Sequence, residues 1–119
     1  MRNGMIIDEF GTKEWYQNDQ RHRIDGPAVE HTDGTKQWFQ NGRRHRTNGP
    51  AVERVNGDRI WYFEGRLHRT AGPAVEYSNF GKVLVKDWYF EGKQYDFNDW
   101  LELVTTTEAQ KTMMRLQHA

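Results

Sequence analysis

Trp15, Trp38 and Trp61 stand 23 residues apart, as do His22, His45 and His68, and Pro27, Pro50 and Pro73. Three residue types keeping one period define a unit, G-x-x-x-W-aromatic-x-x-x-x-x-H-R-x-x-G-P-A-V-E, that is too short to bury a core alone. Neighbouring units must therefore stack into a one-dimensional array. Both ends read as half units: Asn3-Gly4-Met5-Ile6-Ile7-Asp8 matches Asn48 to Glu53, and Trp88 to Tyr95 matches Trp61 to His68. At the closing copy Tyr95 and Asp96 replace the His-Arg pair, and a longer loop, Tyr77 to Lys86, precedes it.

Turn chemistry points to strands. Asn41-Gly42, Asn56-Gly57 and Asp33-Gly34 are two-residue hairpin signals, and Glu64-Gly65 and Glu91-Gly92 occupy equivalent places. A two-residue loop at Asn41-Gly42 sets Trp38 opposite His45, and one at Asn56-Gly57 sets Val52 opposite Trp61. Each Trp is then expected beside its own His and beside the preceding unit's Val. Asn48-Gly49 looks like a further hairpin, but Pro50 lacks the N–H that would close it, so a bend within a long strand is expected there. That gives two strands per unit; a three-strand meander is the alternative.

A sheet of this kind is thin, and its burial must rest on aromatics. They make up 13% of a chain that is only 35% apolar, and each buries about 150 to 250 Å². Lys plus Arg equals Asp plus Glu, 17 each, which removes the overall attraction of a general nucleic-acid binder but allows a local basic strip. With no Cys, disulfides, thiolate metal sites and thiol nucleophiles are excluded. No apolar run approaches the roughly 20 residues of a membrane span, and Met1-Arg2-Asn3-Gly4 lacks a signal-peptide core, so a soluble cytoplasmic chain is expected.

After Tyr95 the pattern turns helical. Asn98 can cap Asp99-Trp100-Leu101-Glu102-Leu103-Val104, and Thr105-x-x-Glu108 or Thr107-x-x-Gln110 reads as a capping box. Ala109, Met113 and Leu116, at i, i+4 and i+7, form a stripe that could cover the last strand and protect the sheet edge. The organisation expected is a β-repeat array over 1–97 with a helical cap over 98–119, in one domain.

The unit W-x-x-N-G-x-x-H-R-x-x-G-P-A-V-E resembles the MORN-type repeats, whose units also run to 23 residues with W-x-x-G-x-x-H and hairpin turns. It is most similar to the H-R-x-x-G-P-A variant of tailed-bacteriophage and giant-virus proteins, which often ends in N-G-K-x-Y and short helices. Gly92-Lys93-Gln94-Tyr95 followed by Asp99-Trp100-Leu101 fits that ending. The resemblance covers roughly residues 3 to 116 and implies a mainly β fold: an elongated, curved antiparallel sheet of stacked hairpins used for protein contacts, and in some members proposed for lipid contacts. For a small bacteriophage protein it further implies binding and blocking a host factor in antiviral defence, in the cytoplasm of the bacterial host cell. The family's usual H-G-x-G is H-R-x-x-G-P here, so no ligand residues are carried over.

Chemistry narrows the alternatives. His22, His45 and His68 on equivalent strands two apart lie about 10 Å from each other, too far for one metal ion with ligands at about 2 Å. Three identical His copies with Glu30, Glu53 and Glu76 suit a lattice better than one active site, and no phosphate-binding Gly loop or nucleophile elbow appears. No metal, cofactor or catalysis is expected. Trp15, Trp38, Trp61 and Trp88, with the three His and three Pro, are assigned to the scaffold. Arg23, Arg46 and Arg69, with Arg21, Arg44 and Arg66 nearby, could form a basic strip beside Tyr16, Phe39 and Tyr62, suited to single-stranded nucleic acid or a nucleotide-type anion. The structural alternative is Arg–Glu pairing across strands with guanidinium stacking on aromatics, since a Glu follows each Arg of the first series by seven residues. The reading preferred is a non-catalytic interaction module that binds a protein partner, host-encoded, through an extended sheet face. An exposed aromatic face also invites homo-oligomers.

Overall fold

The structure, a computed structural model, describes residues 1–118. Strands β1 (Gly4–Ile7), β2 (Lys13–Gln17) and β3 (Gln20–Arg21) open the chain. The next unit supplies β4 (Val29–Glu30), β5 (Lys36–Gln37), β6 (Phe39–Gln40) and β7 (Arg43–Arg44). The one after it gives β8 (Val52–Glu53), β9 (Arg59–Ile60), β10 (Tyr62–Phe63) and β11 (Arg66–Leu67). The chain closes with β12 (Val75–Asn79), β13 (Lys82–Phe90), β14 (Lys93–Tyr95) and helices α1 (Phe97–Val104) and α2 (Glu108–His118). All pairing is antiparallel: one sheet runs β1-β2-β4-β5-β8-β9-β12-β13-β14 with β3 attached to β2, and β6–β7 and β10–β11 form two-stranded ribbons. The molecule measures 50 × 30 × 21 Å, and its radius of gyration of 16.2 Å exceeds the roughly 13.5 Å of a compact chain this long.

Two turn types alternate along the chain. Asn41-Gly42, Glu64-Gly65 and Glu91-Gly92 are two-residue loops with positive φ at both positions, the geometry that matches strand twist. At the first of these, Trp38 faces His45, with His45 N–H donating to the Trp38 carbonyl at 3.1 Å. Asn56-Gly57 behaves differently. Arg54 N–H bonds to the Asp58 carbonyl at 3.0 Å and Gly57 N–H to the Arg54 carbonyl at 2.9 Å, closing a three-residue loop with Gly57 at φ +100°. The added residue moves the register by one, so Val52 pairs with Ile60 rather than Trp61. Because side chains alternate across a strand, Trp61 does not join the Val row. Asp8 to Thr12 and His31 to Thr35 close in the same way, which aligns Asp8 with Arg54 rather than with Glu53.

The Gly-Pro step is also wider than a bend in a continuous strand. Residues 45–51 lie between β7 and β8 outside any strand, and the opposing strand breaks at Trp38, whose N–H bonds to the Ala51 carbonyl at 2.7 Å. The ribbons nevertheless join their neighbours, through Gly42 N–H to Arg21 O at 2.9 Å, Gly65 N–H to Arg44 O at 2.8 Å and Gly92 N–H to Leu67 O at 2.8 Å. The segment from Tyr77 to Lys86 is not a loop: it extends the β12–β13 hairpin around a tight Phe80-Gly81 turn.

Burial is shallow and distributed. Ala28, Val29 and Phe39 form one cluster, and Val52, Ile60 and Val75 form another beneath Tyr62, Leu67 and Tyr89. The third joins Trp88, Trp100 and Leu101. Asp96, in extended conformation, caps α1 by accepting the Asp99 N–H at 2.8 Å, so Asn98 sits inside the first turn instead of capping it. Thr107 and Gln110 form the capping box of α2: Gln110 N–H donates to Thr107 Oγ1 at 3.1 Å, and Thr107 N–H to Gln110 Oε1 at 3.2 Å. The stripe of Ala109, Met113 and Leu116 faces solvent. Met114 packs on the Trp88–Trp100 cluster instead, because the face α2 buries is set by where α1 has placed the two indoles.

Candidate functional site

Arg23, Arg46 and Arg69 occupy three copies of one geometry. Their guanidinium carbons lie 3.9, 3.8 and 3.7 Å from the ring centres of Trp15, Trp38 and Trp61, close enough for a strong cation–π contact. Each Nη1 donates to the carbonyl of the following proline, Pro27, Pro50 or Pro73, at 3.0 to 3.1 Å. Each also pairs with the glutamate seven residues on: Glu30 at 3.5 Å, Glu53 at 3.0 Å and Glu76 at 3.9 Å. Burial lowers the pKa of Arg69, with Glu76 partly offsetting the effect. The glycine of each Gly-Pro step lies against the guanidinium. A Cβ at Gly26, Gly49 or Gly72 would come within 2.9, 3.0 or 2.7 Å of it. The motif H-R-x-x-G-P thus encodes an arginine folded back over the tryptophan of its own unit and enclosed by its own loop.

The three histidines join successive units. Nδ1 of His22, His45 and His68 accepts the backbone N–H of Asn41, Glu64 and Glu91 at 2.9, 2.9 and 3.0 Å. At the first hairpin Asn3 Oδ1 does the same for Asn18 N–H at 2.8 Å. His45, Phe63, His68 and Phe90 form a continuous row with ring centres 4.7, 6.2 and 4.9 Å apart. Among the described residues no three of His, Cys, Asp and Glu converge as metal ligands, and no helix is long and apolar enough to cross a membrane.

The expected single basic strip divides in two. Tyr16 and Phe39 are buried and Tyr62 is half-buried, on strand positions next to the tryptophans and so on the opposite face. Over Tyr16 stands Arg2, outside both series, at 4.1 Å from the ring centre, while the other two have neighbours of the second series: Arg21 lies 5.6 Å from the Phe39 ring centre, and Arg44 lies 5.4 Å from Phe39 and 5.6 Å from Tyr62. Arg21 pairs with Glu14 at 3.2 Å, and Arg44 Nε donates to Gln37 at 3.1 Å. The Tyr16 hydroxyl donates to Glu14 at 2.6 Å, which raises its pKa. Arg66 is exposed, with its stem against Gly92.

Two further surfaces are present, the first of them outside the residues that the repeat motif singles out. On the β12–β13 extension Tyr77, Phe80, Val83, Leu84 and Val85 are all exposed, Phe80 at 80% and Leu84 at 61%. The run Lys82-Val83-Leu84-Val85-Lys86 beside Phe80-Gly81 is the signal in the sequence for that hairpin. The second surface is a groove that recurs between units. The Thr47-Asn48-Gly49 loop and the next unit's Trp61 and His68 bound one copy, of about 530 Å³. Ile24-Asp25-Gly26 with Trp38 and His45 bound another, of about 350 Å³. No family model, curated protein or solved structure matches the chain.

Proposed function

We propose that the protein is a non-catalytic interaction module whose partner is another protein, bound through the β12–β13 extension and the adjoining sheet. One observation carries this reading: a hairpin projecting beyond the repeat register exposes five apolar side chains that no cluster of the core uses. An exposed apolar patch of this kind is costly to keep in water and marks a contact surface in many soluble proteins. The resemblance to MORN-type arrays, which serve protein contacts, agrees with it, and a blocked host factor is the partner that this resemblance would supply.

Binding of nucleic acid or a nucleotide-type anion along the arginines is the weaker reading. The guanidinium groups of Arg23, Arg46 and Arg69 already hold a carbonyl, a carboxylate and an indole face, and two of the three aromatics assigned to stacking are buried. The test is affinity capture from host lysate with the full chain, with and without nuclease, comparing wild type with Phe80→Asp and Leu84→Asp. A partner held in nuclease and in high salt but lost, by at least about tenfold in affinity, in both variants is the expected result. Capture that persists in both variants, or that nuclease removes, overturns it.

A further inference from the structure

The chain occupies one copy of its own recurring groove. Beyond the third unit, the position of the next tryptophan is taken by Trp88 and the bounding loop is Thr70-Ala71-Gly72. The last residue of α2 sits there: the His118 ring stands edge-on to Trp88 with centres 5.3 Å apart, and its Nε2 lies 3.0 Å from the Ala71 carbonyl. A Cβ at Gly72 would lie 3.0 Å from the same ring. Met114, one helical turn earlier, packs on the same tryptophan cluster. Residues at i and i+4 share a helix face, so α2 docks as a short helix with two anchors, one apolar and one a ring that donates to a loop carbonyl.

The grooves at Trp38 and Trp61 repeat the features that receive His118. Asp25 and Asn48 stand where Ala71 stands, and their backbone carbonyls accept no hydrogen bond from the described residues. Each lies beside a tryptophan of the following unit, across a groove that no described segment covers. The copies differ at the floor. Arg46 and Arg69 stack on Trp38 and Trp61, whereas Asp96 replaces that arginine in the last unit and Phe97 and Trp100 pack on Trp88. The loop carbonyl is common to all three, but its side chain is not: Asp25 and Asn48 each accept from the Nε of Arg23 or Arg46 at 3.2 Å, where Ala71 carries only a methyl group.

We propose that the grooves at Trp38 and Trp61 each take a short amphipathic helix of a protein partner, anchored by a ring N–H donor on the loop carbonyl and an apolar residue one turn before it, in the manner of α2 at Trp88. This rests on the protein-binding reading and gives it a ligand class: helix-in-groove recognition at two sites one unit apart. Trp15 provides an internal control, since no Gly-Pro loop precedes it.

The test is a titration of the full-length protein with a synthetic peptide of residues 106–118, followed through the five tryptophan indole N–H resonances assigned by single Trp→Phe variants. A peptide this short is mostly unfolded alone, so binding at about millimolar affinity, in fast exchange, is expected. The Trp38 and Trp61 signals should move and Trp15 should stay. A peptide carrying His118→Ala should bind at least about fivefold more weakly, having lost its donor. No movement at Trp38 and Trp61, equal movement at Trp15, or equal binding by the His118→Ala peptide overturns the proposal. This readout needs no natural partner, so it can fail while the Phe80 and Leu84 variants still lose capture, and the reverse also holds.

Discussion

Each guanidinium of the Arg23, Arg46 and Arg69 series is fixed by an indole, a proline carbonyl, a glutamate and a glycine at once. Lysine could keep the charge but not the planar stack or the fork of donors, and alanine at the glycine would push its methyl into the group. We expect Gly49→Ala and Arg46→Lys each to lower stability by about 1–2 kcal/mol in urea unfolding. The double variant should lose clearly less than the sum, because the clash needs the guanidinium; strict additivity would count against this packing. The pairing itself was legible, since a Glu follows each Arg by seven residues and aromatics lie nearby. The glycine's part was not: Gly-Pro reads as a chain bend in any sequence, and its close approach to a side chain in the same loop is a tertiary fact.

At the level of elements, turns set what the strands can do. Asp58, which follows the Gly57 turn, is buried, and its carboxylate accepts the Ser78 N–H at 2.7 Å while pairing with Arg54 at 3.2 Å. The Ser78 hydrogen bond, more than the arginine, holds its pKa below the usual carboxylate value. A carboxyl whose folded pKa is depressed stabilises the fold above the unfolded value, near 3.9, and that contribution is lost as pH falls through the folded pKa. Asp58→Asn should therefore cost about 1–2 kcal/mol at neutral pH, and its deficit against wild type should narrow below about pH 4. A deficit independent of pH would show that the charge is not what matters. Strand content and the Trp–His register were readable because Asn-Gly and Glu-Gly between short runs leave few choices. The second register was not, since Asn-Gly and Asp-Gly fit both a two-residue loop and the last positions of a three-residue one, and one residue of difference exchanges the faces. The face of α2 was hidden for a similar reason: Met113 and Met114 are equally apolar, and the choice between them lies with Trp88 and Trp100.

For the molecule as a whole, the helical end replaces a missing rung. Where Asp96 removes the stacking arginine, Trp88 is covered by Phe97 and by Trp100, which is fully buried and donates its indole N–H to the Arg69 carbonyl at 3.0 Å. Trp100→Ala should cost more than Gly49→Ala, Arg46→Lys or Asp58→Asn, at about 3–5 kcal/mol. It should also expose Trp88, visible as red-shifted tryptophan emission before the main unfolding transition; a loss below about 1 kcal/mol would mean that the array ends without help from α1. The array itself was legible from its period, and its closure was not, because Trp100 reaches back 31 residues to the Arg69 carbonyl. The histidine joints carry a last consequence. In all three the acceptor belongs to the earlier unit and the donor to the later one, so the two units of His45 and His68 each present a socket at one side and a plug at the other. A duplicated unit would bring both with it and would fit between its neighbours in one head-to-tail order only.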